Sequence, residues 1–225
     1  MAFDALRAKV RGLRRNLRAL PAEEETLAQR GYREYVGGLW DEIGQLQFDF
    51  LRTQGLVPEK VLLDVACGSL RGGRLFIPYL EPGNYLGIDK NAELIEVGKA
   101  KEIAPDVLQT RRPEFVISDS FEFERFSRRP DYSLAQSLFT HLHQRDIKLC
   151  LRKLSAFARP GCRFFATFFE TSAALPQIAS SHSHRGFYYT RAQMERFGRD
   201  HGWEPQYLGE WNHPRNQMMI EYVKR

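Results

Sequence analysis

The chain has 225 residues, with 33 lysines and arginines against 28 acids, 43% hydrophobic residues and 27% charged ones. That length and balance fit one α/β domain with a short extra segment and leave apolar material for one sizeable core. No apolar run approaches the roughly 18 residues of a membrane span, and the N-terminus lacks the apolar stretch of a secretory leader, so a cytoplasmic protein is expected. The three cysteines, Cys67, Cys150 and Cys162, form no C-x-x-C pair, which argues against a zinc site or a disulfide framework. The net charge of +5 is local. Arg7, Lys9, Arg11, Arg14, Arg15 and Arg18 face a single acid, Asp4, within residues 1–20, and the rest of the chain is neutral.

In chain order, Phe3, Leu6, Val10, Leu13, Leu17 and Leu20 recur at spacings of three and four among the arginines, one apolar stripe on a basic helix stopped by Pro21. Packing on the body or on a partner chain (a homodimer included), contact with an acidic membrane surface, and contact with an anionic substrate are all open to this helix. Two more helices are expected over 22–35 and 38–54, the second with Leu39, Ile43, Leu46, Phe50 and Leu51 inward, parted by Gly37-Gly38 and ended by Gly55 and Pro58. These make residues 1–57 a helical extension and 58–225 the main domain. From there strands at Lys60–Val65, Tyr85–Ile88, Phe115–Ile117, Asp131–Ala135 and Cys162–Phe169 alternate with helices at Gly72–Tyr79, Ala92–Glu102 and Gln144–Phe157. A helix at Arg191–His201 and strands near Tyr207–Trp211 and Gln217–Val223 follow. This alternation predicts a doubly wound, seven-stranded, mostly parallel α/β sheet with a C-terminal antiparallel hairpin, preceded by N-terminal helices.

Three of these strands end in an acid. The first runs Val61-Leu62-Leu63-Asp64-Val65 into Ala66-Cys67-Gly68-Ser69-Leu70-Arg71-Gly72-Gly73, an apolar strand, a small-residue turn and a helix, the opening of a nucleotide pocket. Tyr85-Leu86-Gly87-Ile88-Asp89 places its acid about 20 residues on, where a carboxylate binds ribose hydroxyls. Phe115-Val116-Ile117-Ser118-Asp119-Ser120 closes the third. Any one of these aspartates is also an ordinary cap or turn residue.

The ordered set resembles the motifs of class I, Rossmann-like methyltransferases of the small-molecule type. Leu63 to Gly68 looks like their first motif, Gly87-Ile88-Asp89 the second, whose acid binds the cofactor ribose, and Ser118 to Phe121 the third, whose acid meets the adenine amino group. Asp131 to Leu142 is similar to the fourth strand and its exit. Leu154 to Cys162 is similar to the following helix and Pro-Gly turn. The resemblance covers roughly residues 59–170. It implies S-adenosylmethionine as cofactor, held by Asp64, Ala66, Cys67, Gly68, Arg71, Asp89, Lys90, Asp119, Ser120, Gln136 and Ser137. Ala66 and Leu70 stand where the family usually has glycines, so the loop is less permissive than a full glycine-rich turn, and an alanine is accommodated there if its φ is negative. The dehydrogenase alternative needs a full G-x-G-x-x-G, which is missing.

Transfer of a methyl group to a hydroxyl needs alignment and a base, and histidine is the natural base near neutral pH. His141, with His143 close by, follows the fourth strand, where it is either a base or a packed residue. His182 and His184 lie in a polar-aromatic segment within residues 171–189 that suits an acceptor-binding loop or a surface loop. Glu170 ends the fifth strand, and the turn Trp211-Asn212-His213-Pro214-Arg215 either shapes the acceptor pocket or connects the last strands. No metal is implied. The exit Gln136-Ser137-Leu138-Phe139 lacks the Asn/Asp-Pro-Pro-Tyr pattern of base methylation, and with a neutral body this argues against nucleic acid. O-methylation of a small metabolite, sugar or natural product is the first expectation. A lipid or quinone methyltransferase at the membrane surface and a non-catalytic cofactor-binding scaffold or regulatory subunit are the alternatives.

Overall fold

The computed structural model describes residues 27–175, 180–181 and 186–225. The expected helix over 3–20, together with His182 and His184, lies outside the described residues.

Short apolar runs form the sheet. Its strands are β1 (Leu62–Val65), β2 (Tyr85–Asp89), β3 (Glu114–Ile117), β4 (Tyr132–Ala135), β5 (Arg163–Glu170), β6 (Tyr188–Tyr189), β7 (Trp203–Gly209) and β8 (Met218–Lys224). They lie in the order β3-β2-β1-β4-β5-β8-β7, with β6 beside the end of β5. The first five are mutually parallel, and β8 runs antiparallel to both β5 and β7. The strand beyond the seven expected is the two-residue β6, which pairs Tyr188 with Phe169 and Tyr189 with Glu170. β1, β2 and β4 are buried at every position, as parallel strands covered on both faces must be.

Eight helices are described: α1 (Leu27–Arg30), α2 (Tyr32–Tyr35), α3 (Trp40–Thr53), α4 (Gly73–Tyr79), α5 (Ala92–Glu102), α6 (Pro105–Arg111), α7 (Gln144–Phe157) and α8 (Arg191–Arg199). Alternate strand residues face opposite layers. Leu63, Ala135 and Phe164 join Ile147, Leu151, Leu154 and Phe197 of α7 and α8. Leu62, Leu134 and Phe165 join Leu51, Phe76, Ile77 and Ile95 of α3, α4 and α5. Helices thus cover both faces, and the winding reverses at β1, which pairs with β2 on one side and β4 on the other. The crevice at the carboxyl ends of those strands is where such a sheet binds ligands.

Several boundaries differ from expectation for local reasons. Gly31, at φ 78°, breaks the helix expected over 22–35 into α1 and α2. Leu39 does not point inward: it caps α3 at φ 47° and is 42% exposed, and Trp40 takes the buried place. β7 starts at Trp203 rather than Tyr207, carrying Pro205 on the sheet's outer strand, where a missing N–H is tolerated. Among the described residues no helix is long and apolar enough to cross a membrane.

Candidate active site

The turn after β1 forms one wall of the crevice. Ala66 (φ 63°), Gly68 (φ 54°) and Leu70 (φ 66°) are all left-handed. The condition for accommodating an alanine without strain, a negative φ, is therefore not met. The turn must double back after β1 while the Ala66 and Cys67 N–H groups both donate to Ile88 O, at 2.8 and 3.1 Å, and that geometry holds whichever residue occupies it. A left-handed non-glycine residue costs roughly 1–2 kcal/mol. Leu70 offsets this by complete burial against α4 and α5, whereas Ala66 has no comparable side chain to bury. Ala66→Gly is accordingly expected to stabilise the fold by up to about 1 kcal/mol. Leu70→Gly is expected to destabilise it by about 2 kcal/mol or more, since lost burial outweighs relieved strain. Urea unfolding of the two variants checks both signs.

The loop is tied to β2 by Asp89. Its Oδ2 accepts from Gly68 N and its Oδ1 from Asn91 N, each at 2.9 Å. Burial raises the Asp89 pKa, and these N–H donors work against that rise. Asp64 is buried beneath the loop, accepts from the Tyr85 hydroxyl at 2.8 Å, and is pushed up to about 6 by burial. Cys67 is buried beside them, and burial with the two neighbouring carboxylates keeps its thiol neutral, so it is not a reactive cysteine. Beyond β3, Asp119 is exposed, and the Ser118 hydroxyl accepts from Ser120 N at 3.2 Å and Glu122 N at 3.3 Å. Lys90 is exposed on the same edge. Asp64, Asp89 and Asp119 thus close three adjacent strands on one side of the point where the winding reverses.

The other side is built from amides and cations. Ser137, at φ 58°, donates its N–H to Thr167 Oγ1 at 2.7 Å, which turns the chain sharply after β4. Gln136 is buried, and its amide lies 2.9 Å from Nε2 of His213, which stacks on Trp211 in the β7–β8 connection. His213 Nδ1 accepts from Arg215 N at 3.2 Å, so the ring proton sits on Nε2. The Gln136 oxygen must then face that proton, and the amide orientation follows from the hydrogen-bond network. Ser137 Oγ completes the cluster, 3.0 Å from the same Gln136 amide atom and accepting from Gln217 Nε2 at 2.8 Å.

Burial, then the nearby Arg71 and Arg215 charges, push the His213 pKa down from 6.5 to about 4. Its contribution to stability is full above pH 6.5 and is lost as the pH falls through about 4, because the unfolded chain takes up a proton the folded chain refuses. Asp64 acts in the opposite sense. Held up at about 6 against an ordinary 3.8, it contributes fully below pH 3.8 and loses that contribution as the pH rises through about 6. The two oppose each other between pH 4 and 6. His213→Gln is expected to gain about 2 kcal/mol relative to wild type as the pH is lowered from 7 to 4.5. Urea unfolding at both pH values reads this difference.

The N-terminal turns roof the loop. Ser69 Oγ donates to Tyr32 O at 3.3 Å, Arg71 Nη1 donates to Gly38 O at 3.0 Å, and a Cβ on Gly68 would lie 3.2 Å from Val36 Cγ1. Tyr32 Oη in turn donates to Glu102 Oε1 of α5 at 2.6 Å.

No protein-family model matches the chain. Among solved structures, magnesium protoporphyrin IX methyltransferase from Synechocystis with bound S-adenosylmethionine has 15% identity and a TM-score of 0.61, over 96% of this chain and 91% of that one. DesVI from Streptomyces venezuelae has 16% identity and a TM-score of 0.64, over 90% and 100%. The glycopeptide N-methyltransferase MtfA, in complex with S-adenosylmethionine, has 14% identity and a TM-score of 0.62, over 81% and 94%. The chain has the class I methyltransferase fold.

Within this methyltransferase fold the histidines have different places. His141 is half-buried in the turn after β4, where its N–H donates to Leu138 O at 3.0 Å. His143 caps α7, its Nδ1 accepting from Arg145 N at 3.2 Å, and its ring stands edge-on to Phe187. Glu170 accepts from the Tyr207 hydroxyl at 2.7 Å. His213, the histidine in contact with Gln136, was visible in sequence only as part of a polar turn. It comes from 77 residues away.

Proposed function

We propose that the chain is an S-adenosylmethionine-dependent methyltransferase that methylates a hydroxyl of a small metabolite, sugar or natural product. The observation carrying this reading is the row of Asp64, Asp89 and Asp119 at the carboxyl ends of β1, β2 and the β3 exit, with the turn between β1 and α4 tied to Asp89 through Gly68. The donor and acceptor set fits the cofactor. Asp89 would hold the ribose hydroxyls and Asp119, with Ser120, the adenine edge; Ala66, Cys67 and Gly68 would present backbone to the amino-acid part, with Lys90, Gln136 and Ser137 at the rim. When bound, the cofactor supplies an electrophilic methyl group on sulfur. The chain's own work is to align the acceptor, exclude water beneath the Tyr32–Gly38 roof, and take the hydroxyl proton. We assign that proton to His141, with His182 and His184 as the further candidates. The glycopeptide N-methyltransferase named above uses the same fold for a nitrogen acceptor.

Asp89→Ala is expected to weaken S-adenosylhomocysteine binding by roughly 1.5–3 kcal/mol, the range for hydrogen bonds to a charged group, or about 10- to 150-fold. Calorimetric titration reads the affinity, and a thermal midpoint on the same sample shows that the variant is folded. Unchanged affinity in a folded variant removes Asp89 from the site.

A further inference from the structure

Two buried side chains at the crevice each keep one polar atom without a protein partner. Arg71 is 8% exposed, and among the described residues only its Nη1 is bonded, to Gly38 O at 3.0 Å and Val36 O at 3.4 Å, while Nε has no acceptor. No carboxylate within salt-bridge distance neutralises it among the described residues, and Asp64, the acid near it, is engaged by Tyr85. Gln136, also 8% exposed, has one end of its amide fixed by His213 and Ser137 and the other end without a partner. Because His213 presents Nε2–H, the partnerless end is the NH2 group. A buried cation without a counter-charge and with its Nε–H unbonded, and a buried amide end without an acceptor, are costly unless a ligand supplies what is missing.

Asp64, Asp89 and Asp119 stand on the β1, β2 and β3 side of the crevice. Arg71 reaches from the loop toward the other side, where the β7–β8 connection brings Arg215, exposed at the rim and donating through Nη2 to Gly37 O. Burial first, and then the neighbouring Arg215 charge, lower the proton affinity of Arg71, and an anion between the two arginines would relieve the repulsion. His213 is flanked by both and stays neutral, so it adds no competing charge.

We infer that the acceptor carries an anionic group, a carboxylate or a phosphate ester, seated against the Arg71 guanidinium and the Gln136 amide N–H, with Arg215 at the entrance. This rests on the methyltransferase reading and reassigns Arg71 and the Gln136 amide from the cofactor to the acceptor. A guanidinium suits such a group because its N–H fork matches two oxygens of a carboxylate or phosphate. Arg215 draws the anion from solvent and Arg71 holds it where water is excluded.

The test uses inorganic phosphate and acetate as probes at constant ionic strength, read by the nitrogen-15 NMR signals of the Arg71 Nε–H and the Gln136 side-chain amide. Saturable shifts of both signals are expected, with the protein saturated with S-adenosylhomocysteine as well as without it. Arg215→Gln, at an exposed position, is expected to weaken the probe roughly fivefold with the fold intact, and Arg71→Lys to weaken it further. Absence of a saturable shift overturns the inference. So does loss of the shift on adding S-adenosylhomocysteine, since the anion seat would then belong to the cofactor. Phosphate saturation in a protein that does not bind S-adenosylhomocysteine keeps the anion seat and contradicts the methyltransferase reading alone.

Discussion

Gly98→Ala is expected to destabilise the fold by about 2 kcal/mol and to weaken S-adenosylhomocysteine binding more than tenfold. Gly98 is on the face of α5 that lies directly on the turn after β1. A Cβ there would stand 2.6 Å from Ser69 O, 2.7 Å from Ser69 C and 2.9 Å from Leu70 Cγ. Alanine gains up to about 1 kcal/mol of helix propensity over glycine. Contacts this short with backbone cannot be absorbed by a side-chain rotation, so the loop itself must move. Overpacking of that kind costs roughly 1–3 kcal/mol, with the upper half expected where backbone is displaced. The displaced residues adjoin Gly68, whose N–H is held by Asp89, so the ligand edge moves with them. Ala100→Val, exposed on the same helix, is the control and is expected to change stability only through helix propensity and to leave binding intact. Calorimetry and urea unfolding on the two variants separate these outcomes. Full affinity in a destabilised Gly98→Ala would show that the loop geometry is not what holds the cofactor.

Arg163→Met is expected to cost about 3 kcal/mol, because it leaves Glu221 without its partner in the sheet. The Arg163 guanidinium bonds Glu221 from β5 to β8, donates to Gln54 O and, at 2.9 Å, to Gln54 Oε1, and lies over the Tyr132 and Phe165 rings. One cation therefore joins the end of α3 to three strands. The Glu221 side chain is 4% exposed while that of Arg163 is 29%, so the carboxylate is the group stranded by the change. Removing both charges is a different case. Arg163→Met combined with Glu221→Leu is expected to recover most of the loss, since an apolar pair of similar volume replaces the ion pair without an orphan. Urea unfolding of the single and double variants checks this. A double variant no better than the single would mean that the Gln54 bonds, rather than the ion pair, carry the effect.

β1, β2 and β4 were legible because burial on both faces writes them as largely apolar runs, and the acids that end β1 and β2 lie within one motif spacing of each other. β7 was read short because its start, Trp203-Glu204-Pro205-Gln206, alternates buried and exposed residues and contains a proline on the sheet's outer strand. α6 was missed because its seven residues bury no side chain and so leave no periodic pattern. The left-handed Ala66 and Leu70 were beyond a local reading. Their φ values are imposed by β2 and α5 packing on the loop, and a single residue type does not reveal the backbone forced on it. The Gln136–His213 contact joins positions 77 residues apart, and only the antiparallel return of β8 along β5 brings them together.

The most direct measurement is amide hydrogen exchange of the full chain with and without S-adenosylhomocysteine. The expected result is protection on adding the ligand in residues 66–71, 89–91, 118–121 and 136–137, the turns at the carboxyl ends of β1 to β4. The contradicting result is no change there, or protection confined to the surface groove along α7 lined by Gln144, Arg145, Lys148, Arg152 and His201. That groove contains none of Asp64, Asp89, Asp119 and Gln136, so a ligand held in it would place the cofactor away from the crevice where β1 parts β2 from β4.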